Sequence, residues 1–312
     1  MKEPIISFII GSFTLDRLND IEDLFVSIKN QTYSNYEVIF VSDNNEELQK
    51  AVDKLNKKIK FKNYYSFLNF EKGLSHVRNL GVSKAKGEYI AFIDDDAILS
   101  KDWTKILVET YEKYPNSGGL TGTIKPYWIE KKPLWYPKEL YWIFSCSYQE
   151  INTIQNVRNG FGANLSFRKR IMDLVGTFNS ELGYNLSDKK SKFLDGEEVD
   201  YCIKVKEKTG MDIIFNPKLE IQHKVYPFRY TLKFLIKKCY GDGYAKGLIK
   251  SLHKSETIST ENDYLKLILF KTIPENILSL LKGDLKKIKS ISFIFLAVIF
   301  VGLGYLKFQI SN

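Results

Sequence analysis

Short apolar segments alternate with helical patterns over the first hundred residues, and this alternation restricts the fold more than any other feature. Apolar runs lie at 5–10, 36–42 and 88–93, with a further strand expected at 59–65. Between them, apolar residues recur with helical spacing at 20–29, 46–58 and 73–84. Strands that alternate with helices predict an α/β fold, a mainly parallel sheet with helices on both faces.

Acidic residues follow two of these strands. Asp43 comes after the run 36–42, and Asp94, Asp95 and Asp96 come directly after the run 88–93. Ligands of parallel sheets bind at the carboxyl ends of the strands. Three adjacent carboxylates need a counter-charge, which a divalent cation bound by oxygen ligands supplies. The alternative is a solvated acidic turn or a cap for a helix that starts near Lys101.

Asp43 and a segment that begins at Gly73 provide candidate binding residues early in the chain. Asp43 is expected to hydrogen-bond a nucleobase or ribose, although an Asp in a turn is the alternative. Gly73 opens a helix whose N-terminus, together with Arg78, can face anionic phosphate. Arg78 and Asn79 are equally compatible with structural contacts near the end of the sheet.

Candidate catalytic residues occur later in the chain. Glu197, Glu198 and Asp200 lie within four positions at the start of a predicted helix, where they cannot all point the same way. A carboxylate can serve as a general base toward a hydroxyl. A charged, solvated helix face is the alternative. A strand is predicted at 212–216, before Pro217. His223 also follows a predicted strand, and it is either a third metal ligand, a diphosphate contact or a hydrogen-bonded structural residue.

The C-terminal part is basic and then strongly apolar. Residues 224–289 hold 14 Lys and Arg against six Asp and Glu, in a chain whose net charge is +9. Nucleic acid and an anionic membrane are both physical partners for such a region. The uncharged stretch 290–306 favours the membrane, because 17 helical residues extend about 25 Å and Lys289 and Lys307 can reach the headgroups. We expect a transmembrane helix at 290–307 and no nucleic acid; a buried soluble helix is the alternative.

Lysines beside the apolar stretch predict its orientation. The cluster 282–289 is typical of the cytoplasmic side of a membrane helix. The N-terminus does not resemble a secretory signal, because Asp16 and Arg17 soon follow its short apolar run. Cys146, Cys202 and Cys239 are far apart, which indicates reduced thiols. These features predict a protein of the cell membrane, single-pass near its C-terminus, with its catalytic part in the cytoplasm.

The motifs, taken in order along the chain, resemble glycosyltransferase family 2, the inverting enzymes with the Rossmann-like GT-A fold. The resemblance covers about residues 4–230 and rests on the combination of motifs rather than on any one of them. They are Gly11-Ser12, Asp43, Gly73-Leu-Ser-x-x-Arg78-Asn79-x-Gly81, Gly87 to Asp96, Gly162-Ala-Asn164-x-x-Phe167-Arg168 and Gly196-Glu197-Glu198-x-Asp200.

The resemblance implies roles for the site residues. The family's usual element is Gly-Glu-Asp-x-Asp with the second acid as base, so the base here is Glu198, with Glu197 or Asp200 as alternatives. Mg²⁺ or Mn²⁺ would be held by Asp96, with Asp94 and His223. Nucleotide contacts would come from Ser12, Asp43, Arg78, Asp94 and Asp95, and sugar or acceptor contacts from Gly162, Asn164, Trp135 and Arg229.

The resemblance also implies substrates and a division into domains. The donor would be a nucleotide sugar, most simply a UDP-sugar, and the acceptor a glycan or lipid-linked saccharide. The apolar tail and Trp135-Tyr136-Pro137 are similar to membrane-associated archaeal members that act on dolichyl-phosphate glycans. We expect a GT-A catalytic domain at 1–230, with a nucleotide-sugar half at 1–100 and an acceptor half at 101–230. A basic helical region at 231–289 follows, before the transmembrane helix.

Three other functions need consideration, because each would use part of the same sequence. A nucleotide-sugar-binding scaffold without turnover is disfavoured, because carboxylates stand at all the expected places. A glycosyltransferase for bacterial surface polysaccharide is compatible with the same motifs. A dinucleotide-dependent oxidoreductase is disfavoured, because no G-x-G-x-x-G follows the first strand.

Overall fold

The computed structural model describes residues 3–183, 194–253 and 259–311. They form two compact units, the first comprising Met1–Lys125, Ile151–Ser191 and Glu197–His223. The second comprises Pro126–Glu150, Lys192–Gly196 and Lys224–Asn312. The aromatic segment Pro126–Glu150, which the sequence places inside the catalytic domain, therefore groups with the C-terminal helices.

Nine strands form one mixed sheet in the order β3-β2-β1-β4-β8-β6-β9-β5, with β7 also paired to β9. The strands are β1 (Ile6–Ser12), β2 (Tyr36–Asp43), β3 (Tyr64–Asn69), β4 (Tyr89–Ile93), β5 (Ala97–Leu99), β6 (Gly119–Trp128), β7 (Gln155–Val157), β8 (Asn164–Arg168) and β9 (Ile213–Val225). The first four are mutually parallel, whereas the pairs β4–β8, β6–β8, β5–β9 and β7–β9 are antiparallel. The α/β fold is confirmed, with helices on both sides of the sheet.

The helices are α1 (Leu18–Lys29), α2 (Glu46–Ile59), α3 (Leu74–Lys84), α4 (Trp103–Lys113), α5 (Lys169–Val175), α6 (Glu197–Thr209), α7 (Leu232–Leu252), α8 (Ser259–Leu267), α9 (Ile273–Leu281) and α10 (Lys286–Ser311). Short 3₁₀ turns lie at Leu15–Arg17, Lys138–Phe144 and Pro227–Tyr230, and a π-helical turn, Ile268–Thr272, joins α8 to α9. Helix α10 is the one helix in the described part of the chain that is long and apolar enough to cross a membrane.

Two strand boundaries differ from the sequence expectation. The strand expected at 59–65 begins only at Tyr64, because α2 continues to Ile59 and Lys60 ends it in the left-handed conformation with φ of 58°. The last strand does not stop before Pro217 but runs on to Val225. Its pairs with β7 and β5 lie on either side of Pro217, so these two ladders do not need the hydrogen-bond donor that Pro217 lacks.

Buried apolar side chains hold the parallel half of the sheet in place. Phe8, Ile9 and Ile39 of β1 and β2 are almost fully buried, as are Ile90 and Phe92 of β4. Apolar residues on both faces are the pattern of a strand covered by helices on both sides. Because β1, β2 and β4 run parallel, their carboxyl ends at Ser12, Asp43 and Ile93 lie along the same edge.

Candidate active site

Pairing between strands brings residues that are distant in sequence to this edge. Directly after β4, the chain turns through Asp94–Asp96 and enters the short strand β5. Ala97 of β5 lies opposite His223 of β9 in an antiparallel pair. The pairing therefore places an imidazole from the last strand beside the acidic turn.

Asp94, Asp96 and His223 form a cluster whose ligand atoms all lie within 4.8 Å of one another. His223 Nε2 is 2.8 Å from Asp96 Oδ1 and 3.6 Å from Asp94 Oδ2. Asp96 and His223 are buried, whereas Asp94 is one-third exposed. Two carboxylates and one imidazole are hard oxygen and nitrogen donors, the chemistry that Mg²⁺ and Mn²⁺ accept, so these side chains suit a divalent cation.

Arg17 is a residue of this cluster that the sequence analysis did not assign to the site. Its Nη1 donates to Asp96 Oδ2 at 2.8 Å and to Asp20 Oδ2 at 3.0 Å. Arg17 thus fixes the oxygen of Asp96 that His223 does not contact. An Arg beside acids shortly after the first strand was visible in the sequence, but nothing there indicated a contact across 79 positions.

Asp95 lies between the two acids of the cluster and behaves differently from an exposed carboxylate. Burial, followed by repulsion from Asp96, raises the pKa of Asp95 to about 7. The Arg17 guanidinium and the Ser12 hydroxyl act in the opposite direction. Negative charge is therefore crowded at this turn, where added positive charge would favour the ionised form of Asp95.

The carboxylate of Asp43 organises the loop that leads into α3. It accepts hydrogen bonds from Asn69 Nδ2 at 3.1 Å and from the Gly73 amide at 3.1 Å. Gly73 has φ of 128°, which favours glycine there. Burial raises the pKa of Asp43, although these two hydrogen bonds oppose the shift. Asp43 thus makes the hydrogen bonds expected of an Asp in a turn. Its contact with a nucleobase or ribose stays a prediction.

Arg78 is buried on α3 and connects the acidic turn with α6. Its guanidinium hydrogen-bonds Glu197 and lies 3.9 Å from Asp94 Oδ1. The rings of Phe92 and Phe178 each lie 5.6 Å from its central carbon, a distance suited to cation–π contact. These contacts hold the Arg78 side chain in one position, and its guanidinium lies between the candidate metal ligands and the candidate base.

Gly162 lies directly beside the guanidinium of Arg78. A Cβ atom at position 162 would come within 2.2 Å of Arg78 Nη2. A larger residue therefore requires Arg78 to move, although Glu197 and two aromatic rings hold it. Gly162 provides room for Arg78, while its contact with sugar or acceptor stays a prediction.

We expect Gly162→Ala to displace Arg78, lower the free energy of unfolding by about 1–3 kcal/mol and reduce catalytic turnover. Denaturant unfolding followed by tryptophan fluorescence measures the first effect. Gly302→Ala is the matched control, because a Cβ at position 302 would meet nothing within 4 Å. Equal unfolding midpoints for Gly162→Ala and wild type would show that Arg78 is not constrained as described.

The three acids at the start of α6 have different surroundings. Glu197 is buried and paired with Arg78. Asp200 is fully buried, and its Oδ2 lies 2.6 Å from Lys204 Nζ one turn later. Among the described residues, the half-buried Glu198 carboxylate has no ion-pair partner. Of the three, Glu198 is the side chain that remains available to a substrate.

The environment of Glu198 favours its neutral form. Burial, followed by repulsion from Glu197, raises its pKa to about 8, and the Arg78 guanidinium partly offsets the shift. A carboxylate with a raised pKa is a stronger base once it is ionised. Asp94 is also close enough to raise this pKa, which relates Glu198 to the acidic turn.

Asn164 occupies a structural position at the same edge of the sheet. Its side chain accepts a hydrogen bond from Trp103 Nε1 at 3.0 Å and donates one to the Leu219 carbonyl at 2.8 Å. It is 1% exposed. Its amide joins β8 to α4 and β9, and the sugar or acceptor contact expected for Asn164 stays a prediction.

Trp135 and Arg229 belong to the second unit. Trp135 packs against Phe293 of α10 with ring centres 4.6 Å apart, and Lys289 Nζ lies 3.7 Å from the centre of its indole. Arg229 lies in the 3₁₀ turn before α7, with its guanidinium near the ring of Phe228. Sugar or acceptor contact by either residue stays a prediction.

Comparison with known proteins supplies the context for this site. Residues 9–176 match the sequence profile described as Glycosyl transferase family 2. The chain is 28% identical over 304 residues to the glucosyl-dolichyl phosphate glucuronosyltransferase of Haloferax volcanii, and the match covers 96% of this chain and 95% of that protein.

Two solved structures share the fold. One is the mannosyltransferase of Pyrobaculum calidifontis in complex with GDP-Man and Mn²⁺, with a TM-score of 0.64 and 13% identity over 100% of this chain and 88% of that one. The other is GalNAc-T7 with UDP, GalNAc and Mn²⁺, with a TM-score of 0.56 and 16% identity over 88% of this chain and 57% of that one. At these identities the likeness concerns the GT-A fold alone.

Proposed function

Because the chain belongs to glycosyltransferase family 2, we propose that it transfers a sugar from a nucleotide-sugar donor, most simply a UDP-sugar, to a hydroxyl of a lipid-linked saccharide. The single observation that carries the proposal is the cluster of Asp94, Asp96 and His223 at the carboxyl edge of the parallel strands. Glu198, without an ion-pair partner in the described part of the chain, supports it with a candidate base.

In this proposal, Glu198 takes the proton from the acceptor hydroxyl. The acceptor oxygen then attacks the anomeric carbon, and the bond from that carbon to the diphosphate oxygen breaks. The nucleoside diphosphate leaves with the electron pair, and attack from the opposite face inverts the anomeric configuration. Arg78 keeps Glu197 in place beside the base.

Asp96, Asp94 and His223 would hold a divalent cation, and Arg17 would orient Asp96. When bound, Mg²⁺ or Mn²⁺ would supply positive charge to the diphosphate leaving group. Nucleotide contacts are proposed for Ser12, Asp43, Arg78 and Asp95, on the basis of the family motifs and their place at the edge of the sheet.

The relatives support the choice of substrates. The Haloferax protein is named for a dolichyl-phosphate acceptor, and both similar structures contain nucleotide compounds with Mn²⁺. We carry these classes over to this chain as a nucleotide-sugar donor, a divalent metal and a polyprenyl- or dolichyl-phosphate-linked acceptor. Such an acceptor resides in a membrane, where the apolar helix α10 would hold the enzyme with its catalytic residues on the cytoplasmic side.

The direct test is a donor panel. The purified full-length protein is incubated with UDP-, GDP- and dTDP-sugars, Mn²⁺ and a polyprenyl-phosphate-linked saccharide, and released nucleotide and extended lipid are measured. We expect one donor to give both products, with inverted anomeric configuration by NMR. A retained configuration would contradict the inverting mechanism, and no release with any donor would contradict the proposal as a whole.

The rate of transfer is expected to depend on the ionisation of Glu198. A general base acts as the carboxylate, so kcat/KM of the wild type should rise with pH and level off above the raised pKa of about 8. In Glu197→Gln the repelling charge is removed, which lowers the pKa of Glu198. The acid limb of the profile should therefore move to lower pH.

This shift is measured by initial rates between pH 5.5 and 9.5 at saturating Mn²⁺, with Glu207→Gln as the control. Glu207 lies on the exposed face of the same helix, so its loss should leave the limb in place. An acid limb at the same pH in Glu197→Gln and wild type would mean that Glu198 is not the titrating base.

A further inference from the structure

Helix α10 has two different faces along its whole length. Phe293, Ala297, Gly304 and Phe308 are buried. The exposed apolar stripe lies on the opposite face and consists of Ile288, Phe295, Ile299, Leu303, Leu306 and Ile310. These residues recur at spacings of three, four and seven, which places them on one side of a helix.

The buried face of α10 packs closely against α7 of the same unit. A Cβ at Gly243 of α7 would come within 1.9 Å of the Val301 carbonyl, and one at Gly304 would come within 2.0 Å of the Tyr240 carbonyl. Lys250 Nζ of α7 donates to Tyr305 Oη at 3.0 Å. The two helices therefore touch backbone to backbone, with no space for lipid between them.

The charges of α7 determine how this pair can meet a bilayer. Asp242 and Lys246, an ion pair with a nitrogen–oxygen distance of 3.0 Å, lie next to Gly243 and Gly247, level with the apolar stretch of α10. Lys237 is exposed on the same helix. If α10 crossed the hydrocarbon, these charges would be carried into it beside Val301. Charged side chains in the membrane core are strongly unfavourable. The packed pair therefore does not suit a crossing helix.

We propose that α10 lies in the plane of an anionic bilayer, with the exposed apolar stripe inserted among the lipids and α7 on the aqueous side. The charge of α10 fits this partner, because the helix carries Lys286, Lys287, Lys289 and Lys307 and no acid. Lysines beside an apolar face bind anionic headgroups. This attachment replaces the crossing helix expected from hydropathy alone, and it does not depend on the proposed sugar transfer.

A second copy of the chain fits the stripe less well. A twofold antiparallel pair centred on the stripe would place Lys289 of each copy near Lys307 of the other. Helix α10 offers no carboxylate to compensate these charges. Like charges in such a contact disfavour association, whereas anionic lipid is attracted to them.

Accessibility of the two helix ends distinguishes an in-plane helix from a crossing one. Lys286→Cys and Gln309→Cys are exposed positions near the two ends of α10 and off the stripe. The native cysteines are buried. The full-length variants are inserted from outside into preformed phosphatidylglycerol-containing vesicles and treated with a membrane-impermeant maleimide. Both cysteines should react equally before lysis, whereas protection of either until lysis would overturn the proposal.

Flotation tests the stripe itself. The double variant Ile299→Glu and Leu303→Glu should bind such vesicles about tenfold or more weakly than wild type, because two charges replace inserted apolar groups. Ser251→Glu adds a charge at an exposed position of α7 and should float as wild type does. Near-UV circular dichroism verifies that each variant is folded. The proposal is overturned if the folded double variant floats as wild type does. It is also overturned if the wild-type protein is a dimer that the two substitutions dissociate.

Discussion

Glu198→Gln is expected to reduce sugar transfer by about 10²–10⁴-fold, the usual contribution of a general base, while the donor still binds. The amide keeps the size of the side chain but cannot take a proton at any pH of the assay. The acceptor hydroxyl must then attack without losing its proton to the protein. Turnover of the lipid-linked acceptor and calorimetric binding of the nucleoside diphosphate separate the two effects.

Three other substitutions make this result specific. Glu198→Asp retains a shorter carboxylate, the acid that the family usually has at this position, and should keep part of the activity. Glu207→Gln makes the same chemical change on the exposed side of α6 and should be neutral. Asp200→Asn should mainly lower stability, because Asp200 is fully buried and paired with Lys204. If Asp200→Asn stopped transfer in a fully stable protein while Glu198→Gln did not, the base would be Asp200.

Local sequence patterns predicted the start of the chain well. Residues 20–29 and 73–84 have helical spacing, and α1 and α3 occupy almost the same ranges. The position of Asp94–Asp96 at a strand end followed from the apolar run before it. Such features depend on neighbours along the chain, so a single sequence contains the information that places them.

Long-range contacts in the site could not be predicted in this way. His223 reaches Asp96 because β9 pairs antiparallel with β5, a strand of only three residues whose formation no local pattern indicates. Arg17 contacts Asp96 across 79 positions for a similar reason. The amide of Asn164 hydrogen-bonds Trp103 and Leu219, two contacts that its motif did not indicate. In each case, strand pairing and burial determine the outcome.

The same distinction applies to the C-terminal helix. Hydropathy correctly indicated a long apolar helix, and α10 extends further than expected, from Lys286 to Ser311. The sequence could not indicate that Gly243 and Gly304 would bring α7 into backbone contact with it. This pairing changes the inferred mode of membrane attachment, because α7 and its charged side chains must go wherever α10 goes.

Asp96→Asn is expected to reduce metal-dependent transfer by about 10³-fold, which corresponds to about 4 kcal/mol of transition-state stabilisation. Asn preserves the shape of Asp96 but removes the charge that His223 and Arg17 both contact. The substituted site would then hold a divalent cation more weakly. Because Arg17 keeps Asp20 as a partner, the fold should persist.

The measurement is a Mn²⁺ titration of transfer after removal of metal with EDTA. Wild type should lose activity with EDTA and regain it with Mn²⁺, while Asp96→Asn should stay nearly inactive at all concentrations. His223→Gln should need more Mn²⁺ for half-maximal activity, because one of three candidate ligands is weakened. Asp102→Asn, an exposed Asp six residues along the chain, is the matched control and should titrate as wild type does. Full activity of wild type in EDTA would contradict the metal assignment, because the acidic turn would then act without a cation.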